Sequence, residues 1–510
     1  MKLGELKVKP LETESGHYIV ALHEDDAKEL GVHTGDRVNL SSPEGELVAI
    51  TNTTQSLVQP GEIGTFAEVT RELNLKLGNI ISVVPAPQPP SLEFIRKKMS
   101  GESLGSDEIR AIVEDIVAGN LSSTEMTAFV VAQYMQGMSM QEIAALTRAM
   151  IDTGETLEID IEPILDVHSI GGIPGNKYAL VTVPIVASAG LAVPKTSSRA
   201  ITSAAGTADV MEVLAEVTLS LDEIKHNLRK VGAVLAWGGA VNLAPGDDII
   251  INVERPLGID PRSQLLASVM SKKLAVGADK ILIDIPTGHG AKVESAEEAR
   301  DYAHDFISLG HELDVQVETA LTYGGQPLGY AIGPALEAKE ALEALRGSGP
   351  TSLIEKATSL AGIMLESTGA ARIGGGKEIA LNILKSGKAY QKMREIIEAQ
   401  GGNPDVKPED IPIGDKKETV IATRSGYVTR IYNSRIKDIA IAAGAPRDKG
   451  AGLELKLKEG RKVKEGDPLF DIYAEHEKKM DNALALVKKK PPIRIEGMLL
   501  ERITHQPRVG

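Results

Sequence analysis

Short alternating runs open the chain. His17-Tyr-Ile-Val20, Arg37-Val-Asn-Leu40 and Glu46-Leu-Val-Ala-Ile50 read as strands, divided by turns such as Thr34-Gly-Asp36. Residues 25–30 read as one short helix, and residues 80–84 as a last strand. Together they predict an N-terminal β-rich, barrel-like domain over residues 1–84. Pro85-Ala-Pro-Gln-Pro-Pro90 follows as a stiff linker, because proline favours extended backbone.

The period then changes. Over residues 91–162 apolar positions recur at helical spacing, as in Ile109, Ile112, Val113 and Ile116. Ser106-Asp-Glu, Ser123-Thr-Glu and Ser139-Met-Gln-Glu142 are helix-start signals. A helical bundle domain is expected. Residues 163–402 alternate strand-like runs (164–167, 232–237, 248–252, 280–285, 314–318) with helical ones (208–215, 221–231, 264–276, 296–309). That alternation predicts a mostly parallel sheet covered by helices, with ligands at the carboxyl ends of the strands. A Pro- and charge-rich stretch over 403–417 marks another boundary. Residues 415–510 read as a second β-rich, barrel-like domain. Val463-Lys-Glu-Gly-Asp-Pro-Leu-Phe470 has the sound of a biotinyl-type barrel, but no lysine sits between paired turn residues to carry a swinging cofactor. The whole is a multidomain α/β protein.

Composition narrows the class. The 510 residues suffice for three or four domains at roughly 150 residues each. Only 3% of residues are aromatic, so the core must be built from Val, Ile, Leu and Ala. The absence of cysteine excludes disulfides, thiolate catalysis and Cys-zinc sites. No secretory signal pattern opens the chain, and no apolar run is long enough to span a bilayer. A cytoplasmic enzyme without membrane partners is expected. The net charge of −15 disfavours a sequence-independent nucleic-acid binder. An anionic small substrate must therefore be held by local groups. Lys177, Lys195, Arg199, Lys272, Lys273 and Lys292 lie near small-residue loops and are the available cations.

Two loops carry the chemistry. Residues 195–212 read KTSSRAITSAAGTADVME, with hydroxyls at Ser197, Ser198, Thr202, Ser203 and Thr207 around Arg199 and a small-residue turn. Hydroxyls, a guanidinium and close backbone approach suit phosphate oxygens. Residues 166–177, DVHSIGGIPGNK, form a second glycine loop between a strand and a helix. It lacks the Gly-Lys-Ser/Thr of a Walker loop and the glycine register of a dinucleotide fingerprint. Two such loops suggest a substrate with more than one anionic centre.

Together these motifs resemble the thymidine and pyrimidine-nucleoside phosphorylases. The resemblance rests on Ser197-x-Arg199 with Gly206-Thr-x-Asp-x-x-Glu212, on His168-Ser-x-Gly-Gly172, on Ser268-x-x-Ser-Lys-Lys273 and on Gln326-Pro-Leu-Gly329. The departures point to one branch. Val167 stands where that family has a lysine, the glycine loop is one residue longer, Val253 falls where a base-binding arginine is expected, and an N-terminal domain is added. In these respects the chain is similar to the archaeal AMP phosphorylases.

That resemblance implies phosphorolysis of AMP, with CMP and UMP left open, to free base and ribose 1,5-bisphosphate. Inorganic phosphate is a co-substrate, and no cofactor or metal is implied. It makes Asp260 the proton donor to the leaving base. It assigns Gly172, Ser198, Arg199, Ala200, Ile201, Thr202, Ser203, Thr207, Ser268 and Lys292 to the substrate. His168, Ser169, Ser197 and Lys272 are further candidates, Ser169 and Ser197 for the attacking phosphate. To donate a proton near neutral pH, Asp260 requires apolar burial. The N-terminal domain is expected to promote self-association into a dimer or larger oligomer. The alternatives are a nucleoside phosphorylase, an anthranilate phosphoribosyltransferase, and a nucleotide-binding assembly scaffold without catalysis.

Overall fold

The computed structural model describes residues 4–200, 203–499 and 501. Six strands open it: β1 (Glu5–Pro10), β2 (Ile19–His23), β3 (Arg37–Ser42), β4 (Gly45–Thr54), β5 (Glu62–Thr65) and β6 (Ile80–Pro85). They close into a barrel in the order β1-β5-β2-β4-β3-β6. The alternation in the sequence supplies its core. Val38 and Leu40 of β3 are fully buried against Val20, Leu22, Ile63 and Val83.

The helices that follow start where side chains can satisfy their first N–H groups. Ser139 accepts from Glu142 N while Glu142 Oε2 accepts from Ser139 N, a reciprocal cap on helix Met140–Asp152. Helix Ser123–Gln136 is capped the same way by Ser122, one residue before the expected start.

The chain divides into two compact units. One holds residues 1–154 and 244–271, the other residues 155–243 and 272–510. The excursion 244–271 departs from the contiguous α/β region expected from the sequence. Its run Asp248–Asn252, expected as a strand, lies inside helix Pro245–Leu257. That helix packs on the bundle, where a Cβ on Gly246 would sit 3.1 Å from Val113. Tertiary burial of Ile250 overrides the strand preference of three successive isoleucines.

In the second unit, β7 (Leu165–Ser169), β8 (Val193–Ser197), β9 (Ala233–Trp237), β10 (Lys280–Thr287) and β11 (Gln316–Tyr323) are parallel. They form two sheets, β11-β10-β7 and β8-β9, with an isolated bridge from Ile164 to Ala192 between them. Helix Ala179–Ser188 is buried almost throughout and contributes most of its residues to one large core cluster.

The C-terminal strands are β12 (Ala331–Ile332), β13 (Lys416–Ile421), β14 (Gly426–Ile431), β15 (Gly452–Leu455), β16 (Lys462–Val463), β17 (Pro468–Ala474) and β18 (Ile493–Glu496). They make a four-stranded sheet, β12-β15-β17-β13, and a three-stranded sheet, β16-β14-β18. Helices Asn433–Ala443 and Glu477–Lys489 share their core. Because β12 precedes the rest by a long interval, its pairing with β15 ties this region to the α/β fold. Among the described residues, no helix is long and apolar enough to cross a membrane.

Candidate active site

The glycine loop leaves the carboxyl end of β7. Gly171 and Gly172 take φ of 83° and 92°, where L-residues are strained. A Cβ on Gly172 would lie 2.4 Å from Lys292 N, so only glycine lets this loop meet the one that follows β10. The far end of the loop is pinned. The Lys177 ammonium is buried, donates to Leu328 O and Ala331 O at 3.1 and 2.9 Å, and pairs with Glu340 at 2.7 Å. Lys177 is thus a structural anchor, and its charge is already matched.

A chain of polar groups orients Ser169. Asn176 Nδ2 donates to Ser169 Oγ at 2.9 Å, and the Lys356 ammonium donates to Asn176 Oδ1 at 3.1 Å. Lys356 in turn pairs with buried Asp284 at 2.7 Å, and Thr322 donates to Asp284 at 2.5 Å. Burial lowers the Lys356 pKa, and Asp284 partly offsets this. No motif pointed to Lys356 or Asp284, since their role depends on partners far away in the chain.

The hydroxyl loop follows β8. Asp209 accepts from Ala200 N at 2.7 Å and from Gly206 N at 2.9 Å, which closes the loop on itself. Gly206 permits this, for a Cβ there would meet Ser198 O at 2.6 Å. The Arg199 guanidinium donates to both oxygens of Glu212, at 2.6 and 2.5 Å, and lies 4.8 Å from the Trp237 ring centroid. Lys449 reaches Glu212 at 2.5 Å. The hydrogen bond from Arg199 is the chief cause that holds the Glu212 carboxyl at about 2. In this arrangement Arg199 shapes the loop through Glu212. Ser198 and Ser203 are exposed, whereas Ser197 and Thr207 are half-buried. Ile201 and Thr202 lie outside the described residues.

Between the two loops sits a cluster of lysines. Buried Lys273 donates to buried Asp166 at 2.7 Å and to Thr196 O at 2.9 Å. Lys195 donates to Thr196 O at 2.8 Å. Burial, then the nearby charge of Lys273, bring Lys195 down to about 7. His168 lies within the field of Lys273, Lys195, Lys272 and Lys292, and burial together with these charges pushes its pKa well below the ordinary value. Its imidazole is therefore neutral at pH 7, and its buried Nδ1 has no hydrogen-bond partner. Burial disfavours charge of either sign here, whereas the lysine contribution favours an anion.

Asp260 and Ser268 belong to the first compact unit. Ser268 Oγ donates to Asp247 at 2.8 Å, and Gln264 donates to the same carboxylate at 3.1 Å. Asp260 precedes Pro261 and helix Arg262–Ala275 and is exposed, without the apolar burial expected of it. Elsewhere, ligand atoms of Asp448, Glu475 and His476 gather within 4.8 Å of one another, a grouping not anticipated from the sequence. Lys479 already pairs with Asp448 at 2.6 Å, and Gly450 N donates to Glu475 at 2.8 Å.

Known proteins share this arrangement of domains. Residues 92–154 match the helical bundle domain of a glycosyl transferase family, and residues 161–390 match its a/b domain. Residues 427–494 match the pyrimidine nucleoside phosphorylase C-terminal domain. The barrel, over residues 6–75, matches a family described as a molydopterin dinucleotide binding domain. An AMP phosphorylase of Thermococcus kodakarensis is 58% identical over 98% of this chain and 99% of its own. Those of Pyrococcus furiosus and Methanocella arvoryzae are 56% and 49% identical, with 98% of this chain and 99% of each relative covered. Among solved structures, anthranilate phosphoribosyltransferase of Thermus thermophilus superposes with a TM-score of 0.51 at 21% identity. It covers 60% of this chain and 99% of its own, a likeness of fold.

Proposed function

We propose a reaction from one premise: the chain belongs to the AMP phosphorylase family. The reaction is phosphorolysis of AMP by inorganic phosphate, giving adenine and ribose 1,5-bisphosphate. A bond forms between a phosphate oxygen and C1′ as the C1′–N9 bond breaks. Positive charge develops on the ribose, and negative charge on the base. The protein must place phosphate beside C1′ and protonate the purine as it leaves.

One observation carries this reading: neutral His168 stands amid Lys195, Lys272, Lys273 and Lys292. That locus supplies cationic charge for the attacking phosphate without a lysine at position 167. Ser169, held by Asn176, offers a hydroxyl there. Gly172 and Lys292 bring two loops together, and in this reading the nucleotide lies against them. Asp260 is the proton donor in this scheme, and the bound purine would desolvate its carboxyl. The scheme uses no metal and no cofactor. A pyrimidine-nucleoside reading is not favoured, because the full-length relatives are AMP phosphorylases. We further propose a cytoplasmic location and self-association aided by the barrel.

The test is base release from AMP, adenosine and thymidine, with and without phosphate. Release from AMP only when phosphate is present is expected, and equal turnover of adenosine would sink the claim for a 5′-phosphate. Asp260→Asn should lower kcat by about 10²–10⁴-fold, the usual range for general acid catalysis. Full activity in that variant would remove Asp260 from the mechanism.

A further inference from the structure

Two donors hold the Ser169 hydroxyl. Asn176 Nδ2 reaches its Oγ at 2.9 Å, and Gly171 N reaches it at 3.3 Å. A serine hydroxyl carries two lone pairs and one hydrogen. With both lone pairs engaged, this hydroxyl can act toward a further group only as a donor.

The direction of that arrangement is set elsewhere. An amide presents an oxygen on one side and an NH₂ group on the other, and an ammonium offers only hydrogens. Lys356 Nζ lies 3.1 Å from Asn176 Oδ1. The amide must therefore turn its oxygen to Lys356 and its NH₂ group to Ser169. Lys356 is itself fixed by two further contacts. Its Nζ is 2.7 Å from Asp284 Oδ2 and 5.2 Å from the centroid of the Tyr178 ring. Asp284 is fully buried, and Thr322 donates to its other oxygen at 2.5 Å. Asp284 favours the ammonium form of Lys356 against the burial that opposes it. Asp284 of β10 is also the register partner of Ser169 on β7. The polar chain thus starts and ends at one point of the sheet.

We propose that Lys356 and Asp284 are positioning residues that set the polarity of Ser169, making its hydroxyl an obligatory hydrogen-bond donor to a non-attacking oxygen of inorganic phosphate. The proposal rests on the phosphorolysis reading and deepens it. A donor-only hydroxyl matches an unprotonated phosphate oxygen and offers nothing to a P–OH group. Two residues far from the glycine loop in sequence thereby help to select the anion without touching it.

Calorimetric titration of the full chain with inorganic phosphate tests this, in a double-mutant cycle of Ser169→Ala and Asn176→Ala. Ser169→Ala should weaken phosphate binding about tenfold, the loss of one hydrogen bond to a charged group. Asn176→Ala removes no buried charge and should weaken binding about three- to tenfold. The two together should bind no more weakly than Ser169→Ala alone, because Asn176 acts through that hydroxyl. Lys356→Met should match Asn176→Ala, and Lys356→Arg, which still offers only hydrogens, should restore affinity. In steady-state kinetics Asn176→Ala should raise KM for phosphate and leave KM for AMP unchanged. Sulfate has only acceptor oxygens, so it should compete with phosphate and lose affinity in parallel. Independent effects of Ser169→Ala and Asn176→Ala would make Asn176 merely structural and overturn the proposal. An Asn176→Ala variant that weakened phosphate but spared sulfate would also overturn it, since Ser169 would then be an acceptor. If the chain binds phosphate with the expected coupling yet never cleaves AMP, the reaction is wrong and the polarity of Ser169 stands. Cleavage of AMP without that coupling would keep the reaction and remove the role of Lys356 and Asp284.

Discussion

Asp166→Asn should be among the most damaging single changes near the site. Asp166 Oδ2 lies 2.7 Å from the Lys273 ammonium, and both side chains are essentially inaccessible to water. Asparagine keeps the shape and removes the charge. Lys273 would then be a buried cation held by Thr196, through its carbonyl at 2.9 Å and its hydroxyl at 3.4 Å. Breaking a buried ion pair on one side typically costs about 3–5 kcal/mol. The Lys195 ammonium lies within reach of the Lys273 charge, which disfavours charge on Lys195. Two compact units make a single global unfolding energy ill-defined, so the measurement should be local. Amide exchange in β7, β8 and β10 would report the opening free energy of this sheet region. A second effect is kinetic. The charge of Asp166 raises the Lys195 pKa, so its removal leaves Lys195 more neutral at pH 7 and should raise KM for phosphate. The double variant Asp166→Leu with Lys273→Met removes both charges and should recover most of the lost protection. Loss of less than about 1 kcal/mol in the single variant, or no recovery in the double, would refute the argument from an unpaired buried lysine.

Two further outcomes follow from the loops. Gly172→Ala places a Cβ 2.4 Å from Lys292 N at a φ of 92°; it should destabilise the loop by about 1–3 kcal/mol and reduce kcat/KM for AMP at least tenfold, and wild-type kinetics would contradict the close approach. The Arg199–Glu212 clamp should respond to acid. Arg199 holds the Glu212 carboxyl at about 2, below its unfolded value of about 4.3. Its contribution is therefore present above that unfolded value and is lost as pH falls toward 2. Thermal melts between these limits should show a slope that Glu212→Gln diminishes, and an unchanged slope would exclude the clamp as its source.

Much of the architecture was readable from period and punctuation. Val38 and Leu40 point into the barrel because a strand alternates, and Ser139 with Glu142 starts a helix because both can satisfy its first N–H groups. The run Asp248-Ile-Ile-Ile-Asn252 was misleading for a physical reason. Three successive isoleucines carry no period, so burial alone cannot tell strand from helix. Pro245 at the helix start and Gly258 in the left-handed conformation at its end were the better signals. At the site, the glycine spellings located both loops. What they could not show was pairing. Lys177 and Lys273 look like available cations in one dimension, yet Glu340 and Asp166 hold them in the fold. Asp284 and Lys356 were missed because their neighbours are distant in sequence.

The distribution of charge within the second unit follows from those pairings. A chain with a net charge of −15 cannot attract phosphate by its overall field. It can do so only where cations outnumber the carboxylates that reach them. Lys177, Lys273 and Lys356 each have a buried carboxylate within 2.7 Å, and so fix geometry without adding net positive charge. Lys195 differs, since its ammonium donates to a carbonyl and burial brings it to about 7. In the phosphorolysis reading, a dianion at this locus would favour the protonated forms of Lys195 and His168, which burial first and neighbouring lysines second disfavour. The buried pairs are thus nearly neutral. Lys195 and His168 are the titratable groups whose charge would rise if phosphate bound as proposed. On that proposal Val167 can be apolar because the cation comes from strand β8, where Lys195 pairs in register with Leu235 of β9.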